Sequence, residues 1–179
     1  MENDPKGLGR FSSLTIIGKG RIKVSFITAY RVSQTTMNEH VGPMSAYSQQ
    51  WHLLHDEYKY PDPRGKIIDD FIAFINSKND KGHDIVLMID ASGTLKERNS
   101  GIRHLLDATG LVDILEQRND SEIPSTYINA KKRCIDFMLM TPRAVAAVEK
   151  MGMLSFNDGI LTDHRGIFVD FDVDNSWVG

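Results

Sequence analysis

The sequence predicts an α/β (α+β) domain in which helices cover a mixed sheet, and three observations carry that expectation. SLTIIG (Ser13 to Gly18) and IKVSFITAY (Ile22 to Tyr30) are rich in β-branched residues and flank Gly18-Lys19-Gly20, the pattern of a β-hairpin. DIVLMID (Asp84 to Asp90) is one continuous apolar run, the mark of a strand covered on both faces. Between them, Ile67, Ile68, Phe71, Ile72 and Ile75 recur at helical spacing within Lys66 to Asn76. Strands that alternate with helices in this way argue against a bundle or an all-β sandwich.

The remaining elements follow in order. Residues 1–10 are polar and read as a disordered lead-in, residues 11–174 as the domain, and residues 175–179 as a tail. Residues 32–44 read as a loop. Ser45 is placed to cap a helix over SAYSQQWHLLHDEY, with Tyr47, Trp51, Leu54 and Tyr58 as its stripe, and Tyr60-Pro61-Asp62-Pro63 ends it. Gly110 separates helices around Ile102 to Ala108 and Leu111 to Gln117. TYIN and RCIDFMLM (Arg133 to Met140) read as a second hairpin, and Pro142 opens a short helix. MLSF (Met153 to Phe156) is a short strand. The last strand, GIFVDFDV, alternates with Ile167, Val169, Phe171 and Val173 on one face.

Composition narrows the function classes. The chain's 179 residues include no apolar run approaching the ~18 that a membrane span requires. Cys134 is the only cysteine, so an internal disulfide is excluded and an intracellular compartment, nucleus or cytoplasm, is the simpler expectation. A net charge of −3 argues against coating nucleic acid by bulk electrostatics. Local basic groups stand at Lys19, Arg21 and Lys23 and at Lys131-Lys132-Arg133, where they form either a solvated face or phosphate contacts.

Polar residues at strand ends point to a site. Asp90 ends an apolar strand, Tyr30 ends a long one, and Asp163-His164 precede the last strand in GILTDHRGIFV. Asp136 lies within an apolar strand, on the face of Cys134, Met138 and Met140. A carboxylate there needs compensation, either from an imidazole N–H or a cation, or from neighbouring backbone. Arg133 is placed on the other face. Asp90 alone reads equally as a cap for the loop that follows it. His52 and His55 are spaced for a helical metal pair, but no third ligand stands nearby, so they read as exposed helix residues.

Four segments in order, ITAYRV, VLMIDAS, PSTYINAKKRCIDFMLM and LTDHRGIFV, resemble the endonuclease/exonuclease/phosphatase family, the DNase-I-like and AP-endonuclease-like phosphodiesterases. They match its tyrosine-ended strand, its Gly-Asp-Phe-Asn strand, its Thr-aromatic segment with Arg-Ile-Asp-Tyr, and its terminal Ser-Asp-His motif. The resemblance implies a DNase-I-like mixed β-sandwich flanked by helices. It implies a Mg²⁺-dependent phosphodiester hydrolase of endonuclease type, retroelement-like, acting on nucleic acid. His164 would contact the scissile phosphate, oriented by Asp136. Asp90 would position or deprotonate the attacking water, Tyr30 would bond a phosphate oxygen, and Asp163 would bind the metal. Ser92 would contact phosphate in place of the family's asparagine.

The family also begins with an asparagine-bearing strand and a strand ending in Gln-Glu, whose glutamate is a chief metal ligand. Nothing before Ser13 matches either. The resemblance therefore covers the C-terminal two-thirds of the family domain. It implies weak or absent Mg²⁺ binding, an exposed sheet edge, and a partner chain that completes the sheet. The alternative it leaves is a truncated or degenerate relative without catalysis.

Overall fold

The computed structural model describes residues 1–33, 45–97, 100–118, 123–128, 133–156, 158 and 162–172. The tail at 175–179, most of the 32–44 loop, Lys131, Lys132, Val173 and the start of GILTDHRGIFV lie outside them. Among the described residues no helix is long and apolar enough to cross a membrane.

β1 (Glu2–Asn3), β2 (Phe11–Ile17), β3 (Lys23–Tyr30), β4 (His83–Asp90), β5 (Val112–Asp113) and β6 (Asp136–Met140) form one mixed sheet in the order β1-β2-β3-β4-β6-β5. The predicted first hairpin is present, with Ile17 paired to Lys23 and Gly20 at φ 71° in the turn. β3 and β4 are parallel, joined through α1 (Ala46–His55) and α2 (Pro63–Asp80). Ser45 Oγ accepts from Ser48 N at 3.1 Å, the expected cap. The expected stripe on α1 is only half right: Leu54 is buried, whereas Tyr58 is exposed and Ser48 and Gln50 are buried instead. The Tyr60–Pro63 stretch starts α2 as well as ending α1, because Asp62 Oδ1 accepts from Arg64 N and Pro63 takes the first helical position.

Alternation decides which core each strand residue enters. Ile85, Leu87, Ile89, Phe137 and Leu139 face α2 and α3 (Gly101–Thr109) and pack with Phe11, Phe71 and Ile75. Val24, Val86, Met138 and Met140 face the other way. They meet α5 (Pro142–Ala146) and a second, two-stranded sheet of β7 (Val148–Met153) and β8 (Ile167–Phe171). The structure is thus a sandwich with a narrow second sheet. Leu14 and Ile16 pair with Phe26 and Val24 on that same face, yet each is 51% exposed.

Several local expectations are corrected. Among the described residues TYIN forms no ladder with RCIDFMLM: Thr126 N donates to Arg133 O at 3.2 Å, but Tyr127 bridges to His164. Cys134 packs against the helix-side core, opposite to Met138 and Met140. MLSF is preceded, not formed, by the strand, which ends at Met153. The Leu111–Gln117 helix is shortened to α4 (Ile114–Arg118) by β5.

The disordered lead-in is the largest correction. Glu2 and Asn3 pair with Ser13 and Ser12, and Arg10 is 1% exposed. Its guanidinium grips Asp4 through Nε at 2.7 Å and Nη2 at 2.8 Å, and reaches Asp70 on α2 through Nη1 at 2.7 Å. Polarity alone suggested solvation, but these charges are compensated by one another inside the fold.

Asp113 illustrates a buried acid without such help. Its Oδ1 accepts from Leu115 N at 3.0 Å, its Oδ2 has no hydrogen-bond partner among the described residues, and burial pushes its pKa up to about 6. A raised carboxyl pKa means the fold binds a proton that the unfolded chain releases. Stability is therefore expected to fall as pH rises from about 3.8 to about 6, and Asp113→Asn to remove that slope in urea titrations across this range.

Candidate active site

The site stands at the C-terminal end of the parallel strands, on the sandwich side of the main sheet. Tyr30 is the register partner of Asp90, and Asp90 that of Asp136, so three strand ends set a row of polar side chains across the sheet. The row continues the face of Val24, Val86 and Met138, whose strands run out of apolar cover at this rim. His164 arrives from the second sheet, in the loop before β8. Its backbone bridge to Tyr127, with Ile128 N donating to Asp163 O at 2.9 Å and Arg165 N to Thr126 O at 2.8 Å, pins that loop against the 126–128 segment.

Asp136 and His164 are in contact. Nδ1 lies 3.0 Å and 2.9 Å from the two carboxylate oxygens. With Nδ1–H donating, Nε2 is left for the cavity. Thr126, fully buried, accepts through its hydroxyl from Ile135 N at 3.0 Å and Asp136 N at 3.2 Å, and so sets where β6 begins.

Burial pushes the Asp136 carboxyl up and Asp90 adds repulsion; the Thr126 and His164 hydrogen bonds oppose this, and the net shift is upward. For His164, burial works against the imidazolium, but the Asp136 hydrogen bond and the charges of Asp136, Asp90 and Asp163 outweigh it, so its pKa is raised. The stabilisation from protonated His164 is therefore complete below about 6.5 and lost as pH rises through the higher folded value. In an NMR titration His164 is expected to titrate above 6.5, and Asp136→Asn to bring it down.

Asp90 Oδ1 accepts from Ser92 N at 2.8 Å and from Ser92 Oγ at 3.3 Å, so it also caps its loop, as its position allowed. Ser92 adopts φ 44°, a left-handed conformation that serine rarely takes. Tyr30, Ser33, Asp90, Ser92, Gly93, Tyr127, Arg133, Asp163 and His164 line one open cavity of about 420 Å³. All six sequence-predicted site residues thus lie in or directly behind a single cavity. Arg133 precedes β6 and sits on the rim, rather than on a strand face.

The basic group at Lys19, Arg21 and Lys23 is not part of it. Lys23 opens β3 where Tyr30 closes it, which separates them by roughly 23 Å at ~3.3 Å per residue. His52 and His55 stack around Trp51 on α1, and no metal-ligand group among the described residues includes them.

One group of described residues has a donor set for a metal ion. Ligand atoms of Asp90, Asp136 and His164 lie within 4.8 Å of one another, and Asp163 lines the same cavity. Carboxylates with room for water suit a hard divalent cation. Sequence reasoning missed Thr126 as the anchor of Asp136, and it missed the burial of Arg31 and Arg64. Thr126 could have been suspected from its place opposite RCID; the arginines carried no local signal.

The chain has a DNase-I-like α/β fold. No family model and no curated protein matches the chain. Among solved structures it is similar to the endonuclease domain of TRAS1, a telomere-specific non-LTR retrotransposon, with 12% identity and a TM-score of 0.58. It is similar to an AP endonuclease from Archaeoglobus fulgidus, with 15% identity and a TM-score of 0.61. It is also similar to the 3′ phosphatase NExo from Neisseria bound to product DNA hairpin, with 18% identity and a TM-score of 0.60. These matches cover 96%, 97% and 94% of this chain and 68%, 69% and 66% of the respective neighbours.

Proposed function

We propose that the protein is a divalent-metal-dependent phosphodiester hydrolase of endonuclease type that acts on nucleic acid. The Asp136–His164 contact carries the reading, since it joins residues 28 apart in sequence at the mouth of a polar cavity. The fold it shares with nucleases supports the substrate class.

In this reading Asp136 fixes the His164 tautomer and favours the imidazolium, which faces the phosphate as negative charge grows there. Asp90, tethered by the Ser92 backbone, orients the attacking water. Tyr30 donates a hydroxyl hydrogen bond to a non-bridging oxygen, and the Ser92 hydroxyl, which donates to Asp90 in the free site, would turn to another. Asp163 and Asp90 would hold Mg²⁺ in a carboxylate-and-water shell. When bound, the ion neutralises phosphate charge and acidifies water. The single Cys134 suits an intracellular setting.

The test is nicking of supercoiled DNA, with single-stranded RNA and DNA oligonucleotides in parallel. Cleavage is expected with Mg²⁺ and none with excess chelator. Cleavage unaffected by chelator overturns the metal dependence; no cleavage of any substrate favours the non-catalytic alternative.

The uncovered Leu14 and Ile16, beside a two-stranded second sheet, support a polypeptide partner that extends that sheet. Light scattering that shows a monodisperse monomer with a sharp melting transition would count against it.

A further inference from the structure

A second cavity, of about 470 Å³, opens on the helix side of the main sheet, between the N-terminal turns of α2 and α3. It shares no lining residue with the 420 Å³ cavity. Arg31 lies at its floor. This residue follows Tyr30, the last of β3, and its backbone N donates to Asp90 O at 2.8 Å. Arg31 is 7% exposed. Its Nε donates to Arg64 O at 3.1 Å, and no hydrogen bond joins either Nη atom to a described residue. A Cβ on Gly101 would stand 3.1 Å from Nη2 and 2.8 Å from Ile68 Cγ1, so the glycine leaves the edge of the guanidinium uncovered.

The counter-charge for Arg31 is already present. A Cβ on Gly93 would meet Glu97 Oε2 at 3.0 Å and Arg31 Nη1 at 3.5 Å, which sets the Glu97 carboxylate facing the guanidinium. Asp62, Asp69 and Asp107 complete an exposed acidic rim. The four acids outnumber Arg31 and Arg103 in the lining, so the cavity repels a bare anion. Burial and the neighbouring Arg64 bring the Arg31 pKa down to about 10, which leaves it charged at neutral pH. The cavity thus offers a fork of donors at its floor and acceptors at its rim, with apolar surface from Ile68 and Leu95.

That pattern fits a flat, neutral ligand with two adjacent acceptors on one edge and donors on the next. Guanine has this order: N7 and O6 accept from an arginine fork, and N1–H and the N2 amine then face a carboxylate. Unstacked bases of single strands are read on these edges. We propose that this cavity binds one guanine base, with Arg31 on N7 and O6 and a rim carboxylate on N1–H and the N2 amine. The choice of a base over other ampholytes rests on the nucleic-acid reading above.

The experiment uses the full chain in chelator, with guanosine as the probe, in calorimetry. Inosine, which lacks the N2 amine, and 7-deazaguanosine, which lacks the N7 acceptor, are each expected to bind ~10-fold or more weakly than guanosine, the scale of a base-edge contact. Adenosine is expected not to bind. Arg31→Lys keeps the charge and loses the fork, and is expected to weaken guanosine by ~10-fold or more. Thermal unfolding without ligand checks that this variant folds; if it does not, the analogue series on the wild type decides. A dT oligonucleotide with one internal dG separates the sources of the base. Preference for it over dT alone places the base in a strand, and guanosine binding without that preference assigns a free nucleoside. A wild type that binds neither guanosine nor the dG strand, or that binds adenosine as tightly as guanosine, overturns the proposal. So does a folded Arg31→Lys of wild-type affinity, as a purely structural arginine would give. Guanosine uptake by a chain that cleaves no diester leaves this site standing and sinks the enzyme reading; cleavage without guanine binding does the reverse.

Discussion

His164→Ala is expected to lower phosphodiester cleavage by ~10³-fold or more with the fold intact, and Asp136→Asn to follow it closely. The scale is that of removing a preorganised charge stabiliser, a few kcal/mol of barrier. The two residues are expected to act as a unit because both carboxylate oxygens of Asp136 lie within 3.0 Å of Nδ1 of His164. The double variant should therefore lose no more than the worse single variant. Circular dichroism would confirm the fold, and gel-based cleavage rates would give the cycle. Independent losses that multiply would show that Asp136 does not work through His164. Full activity in His164→Ala would remove the site assignment.

Arg10→Met is expected to cost about 3–5 kcal/mol, the scale of stranding a buried charge. That is a large share of the ~5–15 kcal/mol that holds a typical domain together. Asp4 would lose a bidentate partner in a place closed to water. Burial alone would push the Asp4 carboxyl up, yet the Arg10 hydrogen bonds and the Lys6 and Arg10 backbone N–H groups hold it below its usual value. Its contribution is therefore complete above about pH 3.8 and lost as pH falls through the lower folded value. Urea unfolding at neutral pH measures the loss. Removing the stranded charge as well, in Arg10→Met with Asp4→Leu, should recover much of it. A single variant as stable as wild type would mean that residues 1–10 are held by something other than this pair.

Much of the fold was legible from local pattern. The glycine turn between two β-branched runs, the Ser45 cap and the isoleucine stripe of α2 each act within a few residues, where sequence and geometry are tied directly. The gathering of the candidate residues around one cavity was legible for a related reason: acids at the ends of apolar strands are costly anywhere but a rim, and four motifs in order resemble one family. The misassigned pieces involve partners distant in sequence. Tyr127 had the composition of a hairpin strand, but its partner is His164, not RCID.

The sequence by itself determined the class of fold, the strand ends that bear Tyr30, Asp90 and Asp136, and the residues expected to gather there. Only the tertiary structure decided that Asp136 and His164 touch, that the three strand ends fall in register, and that Arg10, Arg31 and Arg64 go inside. Periodicity specifies which face a side chain occupies, not which element packs against that face. A charged residue likewise carries no local sign of burial, because its cost depends on a partner supplied from elsewhere in the chain.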